Sequence, residues 1–402
     1  MDVKPAAHRD ELVDALRGVA VMGILAVNIF VFAWPFKISQ SPIEIEQFGH
    51  TLEGPNEWVY RAMMVLFSFK MQFLFGLLFG AGVVYYARKF DHGPLRTGAA
   101  LWYRRMGVLM GLGLLHAIGL WYGDILVWYA ALGLAALWWV RRWPVGVQIA
   151  VGVVLILYGW LANLGLTQLA TLQPSDAPES PWDPTTISNE IEAHTGGYLG
   201  ALGHRVFMLL FMYLLFLPFL FMPYFLGVML LGMALLRTGV LRGERPGVSL
   251  ALAGGGLALG LPLSLVALWR MDALGYEAIG AGRWAAVVFM SGAPTALGYV
   301  GLFTWLFREG RLAPVTRLLA PVGRMALTNY LSQTVICTTL FYGYGLGYYA
   351  KLDFVAMGGV VGAIWLFNIV VSNAWLARYR FGPMEWLWRT LTYGRPPAMT
   401  RD

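Results

Sequence analysis

Long runs of apolar residues follow one another along almost the whole chain, and they limit its fold more than any other feature. A helix needs roughly 20 apolar residues to cross ~30 Å of hydrocarbon. Only 13% of the 402 residues are charged. The sequence therefore predicts an all-α, polytopic membrane protein with about ten transmembrane helices. The predicted helices span residues 12–34, 71–87, 104–122, 125–140, 145–167, 206–236, 248–269, 284–307, 326–345 and 354–376.

The distribution of basic residues orients these runs in the membrane. Positive charges concentrate in loops that stay in the cytoplasm, and most of the 29 lysines and arginines lie on one side if the N terminus is cytoplasmic. The other side then receives the acidic, proline-bearing stretch QPSDAPESPWDP at 173–184. We expect both termini in the cytoplasm. We also expect one domain over 1–402, with an outer loop at 168–205 between helical parts 1–167 and 206–402.

Two further segments have the pattern of interfacial helices rather than of membrane spans. Segments 56–70 and 381–397 are amphipathic and rich in aromatic residues, which is typical of helices that lie in the membrane interface. The long run 206–236 contains Pro218 and Pro223. Because proline interrupts helical hydrogen bonding, this run is predicted to be kinked or tilted.

Composition excludes several functions. The net charge of +7 comes from short basic tracts between apolar runs, so the expected partner is the lipid bilayer, and no nucleic-acid partner is predicted. The single cysteine, Cys337, rules out an intrachain disulfide and a cysteine-based metal site. No metal cofactor is predicted. The sequence leaves open whether the chain forms a homo-oligomer.

Polar residues inside the apolar runs are candidates for function, because an ionised group at mid-bilayer costs ~2.5–3.5 kcal/mol. Asp14 and Arg17 are three residues apart and can pair on one helix face. The sequence supports two interpretations equally: a functional pair, or an ion pair that anchors the helix at the inner interface. Asn28 lies about 16 Å further along the same helix. Lys70 precedes the second run and is expected to extend to the outer interface. Asn28 and Lys70 are both candidates for a substrate cavity.

His116 and Asp124 are eight residues apart in the stretch GLLHAIGLWYGDIL. If the third helix continues to Tyr122, His116 lies about two turns below Asp124, in the outer leaflet. Asp124 is expected to cap the fourth helix, because aspartate is among the best N-cap residues. His116 has two interpretations: a hydrogen bond between helices, or a general base oriented by a carboxylate and facing an outer cavity.

The ninth run carries two stripes of polar residues spaced by four, as on one helix face. One stripe holds Arg324, Thr328 and Ser332, and the other holds Asn329 and Gln333. Such stripes line cavities or join helices. Asn329 and Gln333 are therefore added to the candidate substrate cavity.

Several stretches resemble the YeiB family of bacterial inner-membrane proteins. They are ELVDALRGVAVMGILAVNIF, FLFGLLFGAG, YRRMGVLMGLGLLHAIGLWYGDILVWYAALG, GRMALTNYLSQTVICTTLFYGYGLG and FGPMEWLWRTLTYG. The resemblance covers nearly the whole chain and implies a multi-pass protein of the bacterial inner membrane.

The YeiB family in turn resembles the transmembrane acyltransferase superfamily, which includes heparan-α-glucosaminide N-acetyltransferase and the acyltransferase-3 enzymes. That resemblance implies a cytoplasmic acyl-CoA donor, such as acetyl-CoA, and an outer histidine serving a small-molecule or glycan acceptor. Acyltransferase-3 enzymes have a histidine where this chain has Asn28, and asparagine cannot take a proton at neutral pH. His116 is thus the first candidate for the base and His50 the second.

The same resemblance suggests a role for cations at the cytoplasmic helix ends. Arg17, Arg105 and Arg324 are the candidates for binding the phosphates of acyl-CoA, although such charges also serve as topology signals. An acyltransferase is the favoured function. A transporter or lipid-handling protein with a proton-carrying histidine is the alternative.

Overall fold

The computed structural model describes residues 6–90, 95–170, 186–276 and 278–401. Within these residues the chain is helical and forms no sheet, so the prediction of an all-α membrane protein is confirmed. The α-helices are α1 (Ala6–Ala33), α2 (Phe36–Gln40), α3 (Pro55–Leu66), α4 (Lys70–Ala87), α5 (Leu95–Gly119), α6 (Leu126–Leu132), α7 (Trp138–Val140), α8 (Val145–Ala170), α9 (Ile187–Thr195), α10 (Tyr198–Phe211), α11 (Met222–Arg237), α12 (Pro246–Ala273), α13 (Ala278–Arg308), α14 (Ala313–Arg324), α15 (Ala326–Phe341), α16 (Phe354–Arg378) and α17 (Pro383–Tyr393).

Seven helical stretches in the described part of the chain are long and apolar enough to cross a membrane. They are Glu11–Ala33, Pro55–Ala87, Val145–Leu169, Pro218–Arg237, Pro246–Ala273, Gly282–Arg308 and Phe354–Arg378. The other three predicted runs are also helical: 104–122 falls largely in α5, 125–140 forms α6 and α7 with a π-helical link, and 326–345 falls largely in α15. The protein is therefore a multi-pass membrane protein.

Proline accounts for the interruption predicted in the run 206–236. The helix α10 passes into a π-helical segment, Met212–Phe221, which contains Pro218, and regular α-helix resumes at α11. Because proline has no backbone N–H, it cannot donate the hydrogen bond that a regular turn needs. Helices also form at the two segments predicted to be amphipathic, as α3 and α17.

The outer loop predicted at 168–205 contains α9 and the start of α10. Its acidic stretch, 173–184, lies outside the described residues.

Two glycines bring α1 and α14 into backbone contact. A Cβ atom on Gly18 would lie 2.4 Å from the carbonyl oxygen of Leu319, and one on Gly323 would overlap the carbonyl oxygen of Asp14. Only glycine permits so close an approach. Because Arg17 precedes one of these glycines and Arg324 follows the other, the crossing places both arginines at the same level of the bundle.

The break between α14 and α15 is supported by a side chain from elsewhere in the sequence. The Glu385 carboxylate, on α17, accepts hydrogen bonds from the backbone N–H groups of Leu327 (2.7 Å) and Thr328 (3.1 Å). It also accepts one from the Thr328 hydroxyl at 2.6 Å. The first N–H groups of a helix have no partner within the helix. The amphipathic helix α17 thus caps α15.

Candidate functional site

His116 and Asp124 are in direct contact. The helix α5 ends at Gly119 rather than near Tyr122 as predicted, and the chain turns back before α6. This turn brings Asp124 Oδ2 to 2.7 Å from His116 Nδ1. The two residues are only 2–3% exposed. The interaction suggested by their spacing is therefore present, and it is shielded from solvent.

The second oxygen of the Asp124 carboxylate caps the following helix. Asp124 Oδ1 accepts a hydrogen bond from the backbone N–H of Val127 at 2.7 Å, in the first turn of α6. The prediction that Asp124 caps this helix is confirmed. Because the cap fixes the carboxylate, it also fixes the orientation of the imidazole bound to it.

A third residue completes the group from a distant part of the chain. The Thr334 hydroxyl, on α15, lies 3.0 Å from His116 Nε2. An ionised carboxylate only accepts hydrogen bonds, so Nδ1 of the neutral imidazole carries the hydrogen and Nε2 accepts from the hydroxyl. This is the hydroxyl–imidazole–carboxylate order of a general-base relay.

Sequence reasoning missed Thr334. It lies on neither polar stripe of the ninth run, and its partner is 218 residues away in sequence. The signal available was a third stripe of hydroxyl groups spaced by four, formed by Tyr330, Thr334 and Thr338.

A cavity of about 260 Å³ opens next to this relay. On α5 its lining runs from Trp102 to Leu109, two turns before His116, and on α15 it ends at Tyr330, one turn before Thr334. Tyr330 lines the cavity, and its ring centroid is 5.2 Å from that of His116. The three relay residues themselves are not part of the cavity lining.

The three arginines predicted to bind phosphate all line this cavity. Arg17 pairs with Asp14 at 3.0 Å, which confirms the predicted ion pair. The Arg105 guanidinium lies over the Trp388 ring, 3.6 Å from its centroid. The Arg324 side chain donates to a backbone carbonyl, that of Arg380, at 3.4 Å. The cavity thus has these three arginines and the Glu385 carboxylate at one end, and an apolar interior toward the relay.

Two candidates for a substrate cavity instead join helices. The amide of Asn329 donates to the Ser372 hydroxyl at 2.9 Å, and that of Gln333 donates to Asn368 at 2.9 Å. Both are buried, and neither lines the cavity described above. Asn28 is half-buried and is also absent from that lining.

Lys70 is fully buried, so the prediction that it extends to the outer interface is wrong. Its ammonium group donates to the carbonyl of Met64, in the last turn of α3, at 3.0 Å. The break between α3 and α4 explains this position, because the last carbonyls of a helix need donors from outside it. Lys70 does not line the cavity either.

His50, the second candidate for the base, lies elsewhere. Its ring packs edge-on against Trp34, with 5.6 Å between centroids. Among the contacts of the described residues, none joins it to His116 or Asp124.

One group in the described part of the chain has the ligand types of a metal site. Glu190, His194 and His204 are buried and offer ligand atoms that all lie within 4.8 Å of one another. Sequence reasoning did not single them out, because they fall in a region predicted to be a loop.

Comparison with known proteins identifies the family. The chain is 33% identical over 419 aligned positions to "Uncharacterized protein YeiB" of Escherichia coli (strain K12), and the alignment covers 96% of each protein. The chain belongs to the YeiB family. It is also 29% identical to "Uncharacterized protein YxaH" of Bacillus subtilis (strain 168), over 96% of this chain and 94% of the relative.

A family described as DUF418, protein of unknown function, matches residues 235–395. That region contains Arg324, Thr334 and Glu385. His116 and Asp124 lie before it, in a part of the chain that the full-length YeiB alignment covers to a large extent.

Proposed function

We propose that this YeiB-family protein is a membrane-bound acyltransferase. It takes an acyl group from acyl-CoA, for which acetyl-CoA is the simplest donor, and transfers it to a hydroxyl or amine acceptor, either a small molecule or a glycan. The observation that carries the proposal is the relay of Asp124, His116 and Thr334 beside an arginine-lined cavity. Resemblance to the acyltransferase superfamily supports the same reaction class.

Each part of the donor has a chemically suitable environment in this arrangement. The arginines bind phosphate through charge-assisted hydrogen bonds. Arg105 and His116 are eleven residues apart on α5, or about 16 Å along the helix. When the arginines bind the CoA phosphates, the extended pantetheine arm crosses the apolar cavity. The thioester at the end of the arm then lies near Tyr330, on the side of the His116 imidazole.

The relay then handles one proton. The acceptor attacks the thioester carbonyl as its proton passes through the Thr334 hydroxyl to His116 Nε2. Asp124 stabilises the imidazolium that forms. The C–S bond breaks as the tetrahedral intermediate collapses, and the imidazolium returns the proton to the thiolate. The products are the acylated acceptor and free CoA.

We further propose that the protein lies in the bacterial inner membrane with both termini in the cytoplasm. The basic residues on one side support this orientation. It places the arginine end of the cavity where acyl-CoA is present, and it places the segment after α8 on the outer side.

Purified protein in lipid nanodiscs tests the proposal in two steps. Donor binding needs no acceptor, and a ligand that binds only the folded protein raises its melting temperature. We expect acetyl-CoA, but not adenosine, to stabilise the protein, and we expect thiol release when a suitable sugar or amine is added. Unchanged melting over a millimolar range of acetyl-CoA would reject the donor site.

A transporter remains a second candidate because of one observation. One apolar stretch, Pro55–Ala87, is broken between α3 and α4, and broken helices are typical of substrate sites in secondary transporters. In that case His116 carries a proton across the membrane. Proton uptake into sealed proteoliposomes without thiol release would favour this function over acyl transfer.

A further inference from the structure

The buried cluster of Glu190, His194 and His204 is separate from the relay and the arginine-lined cavity. Glu190 and His194 are four residues apart on α9 and share one face of that helix. His204 reaches them from the neighbouring helix α10, where its ring lies 4.8 Å from that of His194. Two short helices thus present three metal-ligating side chains to one point.

The hydrogen bonding of His194 fixes which of its nitrogens is free. Nδ1 lies 2.8 Å from the backbone carbonyl oxygen of Glu190, and a carbonyl only accepts, so Nδ1 carries the hydrogen. Nε2 is then an unprotonated acceptor, and it has no hydrogen-bond partner among the described residues although it is buried. Histidines that bind metals commonly have this second hydrogen bond, which orients the ring.

Each oxygen of Glu190 accepts one hydrogen bond. Oε2 accepts from the backbone N–H of Phe36 at 3.0 Å, and Oε1 accepts from the Tyr349 hydroxyl at 3.4 Å and also lies 3.8 Å from His204 Nε2. Neither ring nitrogen of His204 has a hydrogen-bond partner in the described part of the chain. Buried polar atoms without partners are costly, so the cluster needs a further group.

We propose that Glu190, His194 and His204 bind one divalent transition-metal ion of the zinc class. The ligands are a carboxylate oxygen of Glu190, Nε2 of His194 and one ring nitrogen of His204. Two histidines and one carboxylate form a set that zinc accepts, with a fourth position left for another ligand. Zinc–ligand distances are roughly 2.0–2.2 Å, so the side chains close around the ion by small rotations.

The charge of Arg205 favours an anionic fourth ligand. It follows His204 on α10, and its Nε donates to the carbonyl of Ile118 at 3.0 Å. Its two terminal nitrogens are buried and have no hydrogen-bond partner among the described residues, although the guanidinium lies over the Tyr198 ring, 4.9 Å from its centroid. This positive charge opposes a bare divalent cation. A hydroxide or carboxylate as fourth ligand would reduce the local charge.

The bound ion would hold several outer segments together. The Tyr349 ring stacks on His194 with 4.7 Å between centroids, and Phe36 is bonded to Glu190. The carbonyl of Ile118, bonded to Arg205, lies two residues after His116. Loss of the metal is therefore expected to loosen the outer side of the bundle.

Metal analysis of the purified full-length chain, prepared without a polyhistidine tag, tests the proposal. After equilibration with zinc and passage over a desalting column, wild type is expected to retain about one ion per chain. Glu190→Gln and His204→Gln are expected to retain less than about a tenth of that amount. His50→Gln is the matched control, since it removes a histidine outside the cluster, and it should retain zinc like wild type.

Wild type alone provides a second test if the variants fold poorly. A chelator should lower its melting temperature, zinc should restore it, and cobalt in place of zinc should give the visible absorption of a tetrahedral site. Wild type that retains no zinc and melts identically with and without it would overturn the proposal, as would equal zinc loss in His50→Gln. These measurements do not depend on acyl transfer, so the two proposals fail separately.

Discussion

Asp124 holds His116 with one carboxylate oxygen and caps the following helix with the other, at 2.7 Å in both cases. The two roles have different chemical requirements. Capping needs only an oxygen acceptor, whereas stabilising an imidazolium needs a negative charge. Asp124 therefore couples the fold of the turn between α5 and α6 to the protonation of the proposed base, His116. Substitutions of Asp124 can separate its capping role from its role as a charge.

Asp124→Asn is expected to preserve the fold and reduce acyl transfer by less than His116→Gln does. The asparagine oxygen can still accept from Val127, but the charge is lost. Thermal unfolding and the transfer rate should be measured together. Asp353→Asn is the matched control, because Asp353 caps α16 by accepting from the Ala356 N–H at 2.8 Å and, among the contacts of the described residues, has none with a histidine. An equal loss of activity in both variants would contradict a specific role for Asp124.

Arg324→Gln is expected to raise the KM for acetyl-CoA about 10- to 150-fold, because a charge-assisted hydrogen bond contributes about 1.5–3 kcal/mol. The rate at saturating donor should change little. Arg317→Gln removes an exposed arginine from the same helix, at a position outside the cavity lining, and should leave KM unchanged. If the two variants gave the same KM, the arginine end of the cavity would not be the donor site.

Glu385→Ala is expected to destabilise the protein by about 1–3 kcal/mol, because it leaves the first N–H groups of α15 without an acceptor. The melting temperature in detergent should fall measurably. Glu192→Ala, which removes an exposed carboxylate, should melt like wild type. Unchanged stability of Glu385→Ala would show that α17 does not support the break at Met325.

Some of this architecture follows from local sequence, and some of it does not. Hydrophobic run length predicts the helices, because a helix must be long and apolar to cross a bilayer. Polar residues within the apolar runs, such as His116 and Asp124, can be recognised as functional candidates from the sequence. The contact of His116 with Asp124 depends on α5 ending at Gly119, and helix ends are difficult to place from sequence.

Long-range packing accounts for what sequence reasoning missed. Thr334 meets His116 only through the arrangement of α15 against α5, which no local pattern encodes. Lys70 was placed wrongly because the break before α4 turns it inward, toward the carbonyl of Met64. The cluster of His194 and His204 likewise requires two helices in a region expected to be a loop.

The proposed orientation is tested with a single cysteine. Cys337 is buried and is first replaced by alanine, and Ser180, in the segment outside the described residues, is replaced by cysteine. We expect a membrane-impermeant thiol reagent added to intact spheroplasts to label this cysteine. Labelling only after the membrane is permeabilised would reverse the orientation, and Ser188→Cys, at an exposed position of α9, provides an independent site on the same side.

The most direct test of the account is the rate of acetyl transfer by His116→Gln, measured as thiol release from acetyl-CoA in nanodiscs with an acceptor that wild type uses. Glutamine keeps some hydrogen bonding to Asp124 and Thr334 but cannot take a proton near neutral pH. We predict a loss of ~10²- to 10⁴-fold in a variant that still melts cooperatively and is still stabilised by acetyl-CoA, whereas His50→Gln keeps the wild-type rate. Near-normal transfer by folded His116→Gln would contradict the account, because His116 would then only join helices.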